Sequence, residues 1–159
     1  MSVWLSFIAV NLLAASSGAI FKPGAWYESL QKPVWCPPNW LFAPAWSILF
    51  LINAWAGVRV YEAAAPEAVV VLMALYGVSL LLNAGWSGFF FGAKRPDWAL
   101  AELVFLWLSI LAQVIVFAAV DQTASFLLMP YLAWVSFAGV LNFSMWRLNR
   151  TRIVSDSLL

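Results

Sequence analysis

Long apolar runs separated by short clusters of charge set the pattern of this chain. Five runs stand out, at about 2–21, 41–61, 66–91, 97–120 and 122–148. A helix crossing the hydrocarbon core needs ~20 mostly apolar residues, whereas a barrel strand needs about 10 with strict alternation. These runs have the first length and lack the second pattern. They predict an all-α integral membrane bundle of five transmembrane helices, one domain over residues 1–150, followed by a polar tail at 151–159. Ala14, Ala15, Ser16, Ser17, Gly18 and Ala19 would suit a cleaved leader, but no Lys or Arg precedes that apolar stretch. A retained first helix is the preferred reading.

Helical phase divides the runs into faces. At 100° per residue, Asn83, Trp86 and Phe90 of the third run fall within about 60° of one another. Ala84, Gly88 and Gly92 lie on roughly the opposite face, and Gly88 and Gly92 form a GxxxG pair that lets two backbones approach closely. That face reads as a packing seam, either of a homodimer or within the chain. The second run aligns Trp46, Phe50, Asn53 and Gly57, and the fifth aligns Tyr131, Trp134, Ala138 and Asn142. Each run also carries a carboxamide inside its span: Asn11, Asn53, Asn83, Gln113 and Asn142. An amide facing lipid would be unsatisfied, so all five are expected to point inward, either to bond helix to helix or to hold a ligand's polar atoms. Glu102, the carboxylate nearest mid-bilayer, is expected to reach the interface.

Composition sharpens the class. Sixty-five per cent of the 159 residues are hydrophobic and 9% charged, with a mean hydropathy of +0.90. A soluble domain of ordinary composition has about a quarter of its residues charged. The net charge of +1 gives no footing for nucleic acid. One cysteine, Cys36, excludes an internal disulfide, and the absence of histidine removes the commonest metal ligand and acid–base group. No metal site and no catalytic constellation can be assembled from these residues, and no cofactor is required. Eleven tryptophans and twelve phenylalanines exceed what two interfacial belts need.

The basic residues split one against seven. Arg59 lies on the side of the N-terminus, and Lys22, Lys32, Lys94, Arg95, Arg147, Arg150 and Arg152 on the other. The positive-inside rule then puts the N-terminus outside and the C-terminus in the cytoplasm, without saying which membrane of a two-membrane cell is meant. Loop 1, about Lys22 to Trp40, is the one long connection. It holds Pro23, Pro33, Pro37 and Pro38 with Trp26, Tyr27, Trp35 and Trp40. So rigid and apolar a loop is expected to pack as a lid over the bundle, with an interfacial segment in the headgroups as the alternative. Asp97 is placed to cap the fourth helix.

Three aromatic-plus-amide faces under an aromatic loop predict a cavity for a flat, largely apolar ligand. The residues that carry them also resemble a known family. Lys32-Pro33-Val34-Trp35-Cys36-Pro37-Pro38-Asn39-Trp40, Trp26-Tyr27 and Pro44-Ala45-Trp46 are similar to the TspO/translocator protein (tryptophan-rich sensory protein) family. So are Asn83-Ala84-Gly85-Trp86, Phe89-Phe90-Phe91, Pro130-Tyr131-Leu132-Ala133-Trp134, Leu141-Asn142-Phe143 and Trp146-Arg147. The resemblance runs through nearly the whole chain in order and spacing. It implies a five-helix bundle, commonly a homodimer in membrane lipid, that binds porphyrins such as protoporphyrin IX or haem-type tetrapyrroles, sterols and benzodiazepine-site ligands beneath loop 1. Carried over by motif position, its ligand contacts fall on Trp46, Phe50, Asn83, Trp86, Phe90, Trp134 and Ala138, with Tyr27 and Pro37 from the loop. Its sterol motif falls on Leu141, Phe143 and Arg147, where Phe143 replaces the expected tyrosine and the hydroxyl is lost.

Three functions follow as expectations. The first is a protein that binds tetrapyrroles for sensing, sequestration or transport. The second, implied by the resemblance, is light- and oxygen-dependent breakdown of protoporphyrin. The third is a small proton-coupled exporter, against which the lack of an embedded carboxylate counts.

Overall fold

The computed structural model describes the backbone of residues 2–156 and the side chains of residues 2–151. Five helices are long and apolar enough to cross a membrane, at Val3–Ile20, Asn39–Ala63, Pro66–Gly92, Pro96–Ala118 and Gln122–Thr151. In chain order the elements are α1 (Val3–Ile20), α2 (Ala25–Glu28), α3 (Asn39–Ala63), α4 (Pro66–Ser87, continued by a π-turn at Gly88–Gly92), α5 (Pro96–Ala118) and α6 (Gln122–Asp156). No strand occurs among the described residues.

Local chemistry sets the boundaries. Ser2 caps α1, its hydroxyl accepting from the Leu5 amide at 3.4 Å. Pro66 and Pro96 open α4 and α5, where a residue without an N–H costs least. Pro96 therefore moves the start of α5 ahead of the expected cap. Asp97 lies in the first turn and binds Arg95, with Oδ1 2.8 Å from Nε, instead of capping the helix. The true carboxylate cap is Asp121, whose Oδ1 accepts from the Ala124 amide at 2.8 Å ahead of α6. Helix α6 runs on to Asp156, into the segment read as a polar tail. The remaining tail positions, 157–159, lie outside the described residues.

The helices close a ring in the order α1, α3, α6, α5, α4, each packing against the next and α4 against α1. Two buried polar clusters fasten it. In one, Asn11 Nδ2 donates to Tyr76 Oη and Asn53 Nδ2 donates to Asn11 Oδ1 at 2.9 Å, tying α1, α3 and α4. In the other, Trp86 Nε1 donates to Asn142 Oδ1 at 3.1 Å while Asn142 Nδ2 donates to the Pro96 carbonyl at 2.7 Å, tying α4, α6 and α5. All five carboxamides are buried, as the lipid argument requires. Gly57 lets Phe7 and Tyr76 close on the α3 backbone; a Cβ there would sit 2.6 Å from the Phe7 ring.

Candidate ligand-binding site

Within the ring lies a cavity of about 580 Å³, inside the ~300–1,000 Å³ range of small-molecule sites. Trp46 and Phe50 reach it from α3, Asn83, Trp86 and Phe90 from α4 and its π-turn, Trp134 and Ala138 from α6, and Tyr27 from α2. The structure thus brings eight of the nine sequence-assigned ligand residues to one wall system. The ninth, Pro37, is not part of the lining. Its carbonyl instead stands 3.6 Å from Cys36 Sγ in the connection.

The aromatic rings of the wall pack against one another in edge-to-face, tilted and stacked pairs. Trp46 meets Trp134 at 6.4 Å between ring centres and 86°, and Trp86 stacks on Phe90 at 5.0 Å. Such arrangements avoid face-to-face repulsion and hold the rings as flat walls. Most polar groups in these walls are already paired. Asn83 Nδ2 donates to Tyr131 Oη at 2.8 Å, and Trp86 and Asn142 satisfy each other. Trp134 Nε1 is different, being buried without any acceptor. A buried donor without a partner costs free energy, about 1–3 kcal/mol, and Trp134 carries that cost while its ring helps line the cavity. The site therefore offers flat apolar surface, and no group of three or more metal-ligating side chains occurs among the described residues.

The connection between α1 and α3, expected as a long loop packed over the bundle, is partly helical. It contains the helical turn α2 and lies docked on the bundle end. Tyr27 is 4% exposed and meets Phe91 at 5.5 Å, while Lys32 Nζ lies 4.4 Å above the Tyr27 ring. Burial pushes the Tyr27 hydroxyl's pKa above its ordinary value, with Cys36 adding to the effect. Asn149 of α6 holds the connection by two bonds to one residue. Its Oδ1 accepts from the Gln31 amide at 2.9 Å, and its Nδ2 donates to the Gln31 carbonyl at 2.9 Å.

Several residues depart from the sequence reading. Helix α1 supplies Asn11, Ala14 and Gly18 to the lining, and α5 supplies Leu103 and Leu106. The small residues of α1, which resemble a leader-cleavage site, are what leave room beside α3. Rim residues Leu12 of α1 and Leu51 of α3 are each 61% exposed, so the cavity opens sideways between these two helices. Within the seam Ala84, Gly88 and Gly92, the chain's own Phe21 takes the last two: a Cβ on Gly92 would stand 2.9 Å from its ring and one on Gly88 3.7 Å. Of the sterol-motif residues, Leu141 faces the cavity whereas Phe143 and Arg147 are exposed on the outer surface, so the three do not form one patch. Glu102, read as reaching the interface, is covered by neighbouring helices. It is 9% exposed, with neither carboxylate oxygen hydrogen-bonded.

Comparison with known proteins agrees with this architecture. The TspO/MBR family profile matches residues 6–147. Protein CrtK of Rhodobacter capsulatus is 45% identical over 150 residues, covering 94% of each chain. Tryptophan-rich protein TspO of Chlorobaculum tepidum is 42% identical, covering 89% of this chain and 92% of its own. The translocator protein of Bos taurus is 37% identical, covering 94% and 93%. A match through all five spanning helices, at this identity and coverage, makes the chain a member of the TspO/MBR family of multi-pass membrane proteins.

Proposed function

We propose that this protein binds a flat, largely apolar ligand of the tetrapyrrole class in the cavity beneath α2, for sensing, sequestration or transport. The observation that carries the reading is the cavity wall itself: seven aromatic and amide positions with Ala138 around about 580 Å³, and the Trp134 N–H left without an acceptor. Aromatic rings supply stacking surface, and the lone donor fixes orientation against a carbonyl or carboxylate of the ligand. Protoporphyrin IX is the natural probe, because its absorption overlaps tryptophan emission and its binding reads as quenching. Saturable quenching is expected, weakened by Trp46→Ala or Asn83→Ala far more than by Trp4→Ala, whose ring is 44% exposed on the outer surface. Equal behaviour of the three variants would reject the cavity as the site. Sterols are a poorer fit, since the motif residues are split between two faces.

The reading extends to topology and assembly. The seven-to-one charge split supports an N-terminus outside and a cytoplasmic C-terminus. Cys36, the single thiol, tests this: an impermeant thiol reagent should label inverted vesicles and spare right-side-out ones. A homodimer is proposed from the resemblance, and native mass spectrometry of the purified protein reports it together with any co-purifying tetrapyrrole.

A further inference from the structure

Glu102 lies in the second turn of α5, buried with both carboxylate oxygens unpartnered. The elements packed on α5 bring no cation to it. On α4 its neighbour is Gly85, where an added Cβ would stand 3.9 Å from Oε1. The one charged side chain of α4, Glu67, is in its first turn at the opposite end. On α6, whose Asn142 binds the Pro96 carbonyl, Tyr131 is buried and bonded to Asn83, while Arg147 and Arg150 lie beyond Asn142 and are exposed on the surface. In the preceding connection Arg95 is held by Asp97. An ionisable carboxylate in such a place is rare in a membrane protein and marks a functional group by default.

Its position relative to the cavity gives that group a role. Tyr131 accepts from Asn83 at 2.8 Å, and Asn83 is part of the cavity wall. Glu102 itself stands beside Gly85, next in the chain to the cavity residue Trp86, and its neighbours along α5, Leu103 and Leu106, line the cavity. We propose that Glu102 is a proton-binding site inside the bundle, coupled to occupation of the cavity across the wall formed by Trp86, Leu103 and Leu106. The inference rests on the cavity's being a ligand site. A ligand bearing carboxylates, as protoporphyrin does, adds to the field that opposes charge on Glu102. Ligand and proton then bind together, the proton coming from water, and affinity falls as pH rises. By linkage the coupling is mutual, so a saturating ligand makes Glu102 hold its proton more tightly.

Two measurements on the protein in lipid nanodiscs test this. Infrared spectra of the ligand-free protein across an acid-to-alkaline titration should show a protonated-carboxyl band that Glu102→Gln removes and Glu102→Asp retains. A band indifferent to both substitutions overturns proton binding. Protoporphyrin titrations should weaken by about 5-fold or more across the same range in the wild type and Glu102→Asp, and stay flat in Glu102→Gln. Parallel pH profiles in proteins that all bind overturn the coupling. Absence of protoporphyrin binding in every protein rejects the cavity reading and the coupling with it, while the infrared band still upholds or overturns proton binding at Glu102.

Discussion

Single side chains set the tolerances of this bundle. Gly57 has no room for a methyl group: its added Cβ would lie 2.6 Å from two atoms of the buried Phe7 ring and 2.9 Å from Tyr76. Overpacking of this kind costs about 1–3 kcal/mol. Gly57→Ala should therefore lower the melting temperature in detergent, whereas Gly77→Ala, where nothing lies within 4 Å, should leave it unchanged. Asn142→Ala strands two partners, the Trp86 N–H and the Pro96 carbonyl. Interhelical hydrogen bonds in membranes are individually weak, about 0.6 kcal/mol on average, but unpaired buried groups cost more, about 1–3 kcal/mol. A loss of roughly 1–2 kcal/mol is the expected outcome of a reversible unfolding measurement. Burial of the five carboxamides could be read from the chain because lipid offers them no alternative. Their pairing could not, since phase gives a direction and no partner. Asn53 shows the limit. It shares a stripe with Trp46 and Phe50, yet it bonds Asn11 of α1 and is not part of the cavity wall.

At the scale of elements, the five spans were legible because apolar runs of this length have one solution in lipid. Where α5 begins was not, because Pro96 outweighs Asp97 as a start signal. The π-turn at Gly88–Gly92 carried no sequence signal either, as three consecutive phenylalanines have no phase of their own. Its widened geometry buries Phe90 to 2% exposure while leaving Phe89 at 38%. The burial of Glu102 carried no sequence signal for a related reason: depth along a helix says nothing about cover by neighbours. One inter-element tie titrates outside the spans. Asp121 binds Arg59 of α3 through two bonds, Oδ1 to Nε at 3.2 Å and Oδ2 to Nη2 at 2.8 Å. The Arg59 guanidinium holds the Asp121 carboxyl below its usual range of pKa. A carboxylate with a lowered folded pKa adds stability above its unfolded pKa and loses it as pH falls through the folded one. The stability difference between wild type and Asp121→Asn should thus be fully present at neutral pH and vanish in strong acid. Asparagine retains the cap on Ala124, which isolates the ion pair as the cause.

The whole molecule is a ring of helices stopped at one end by a docked connection. Two hydrogen bonds between Asn149 and the Gln31 backbone join the connection to α6, beside the aromatic contacts of Tyr27. Asn149→Ala should free that end. Hydrogen exchange at Gln31 should accelerate, with far-ultraviolet circular dichroism unchanged. Unaltered exchange at Gln31 would assign the docking to the aromatic contacts alone.

The side opening between α1 and α3 changes what concentration means for this protein. Leu12 and Leu51 border the cavity where the spanning helices meet lipid, so an apolar ligand dissolved in the bilayer has direct access. Saturation then follows mole fraction in the membrane and not molarity in the buffer. Adding empty lipid at fixed ligand and protein should strip the site, while diluting the vesicles in buffer should barely affect it. The binding constant of such a site carries units of ligand per lipid, and two laboratories working at different lipid ratios would report different affinities for one and the same cavity.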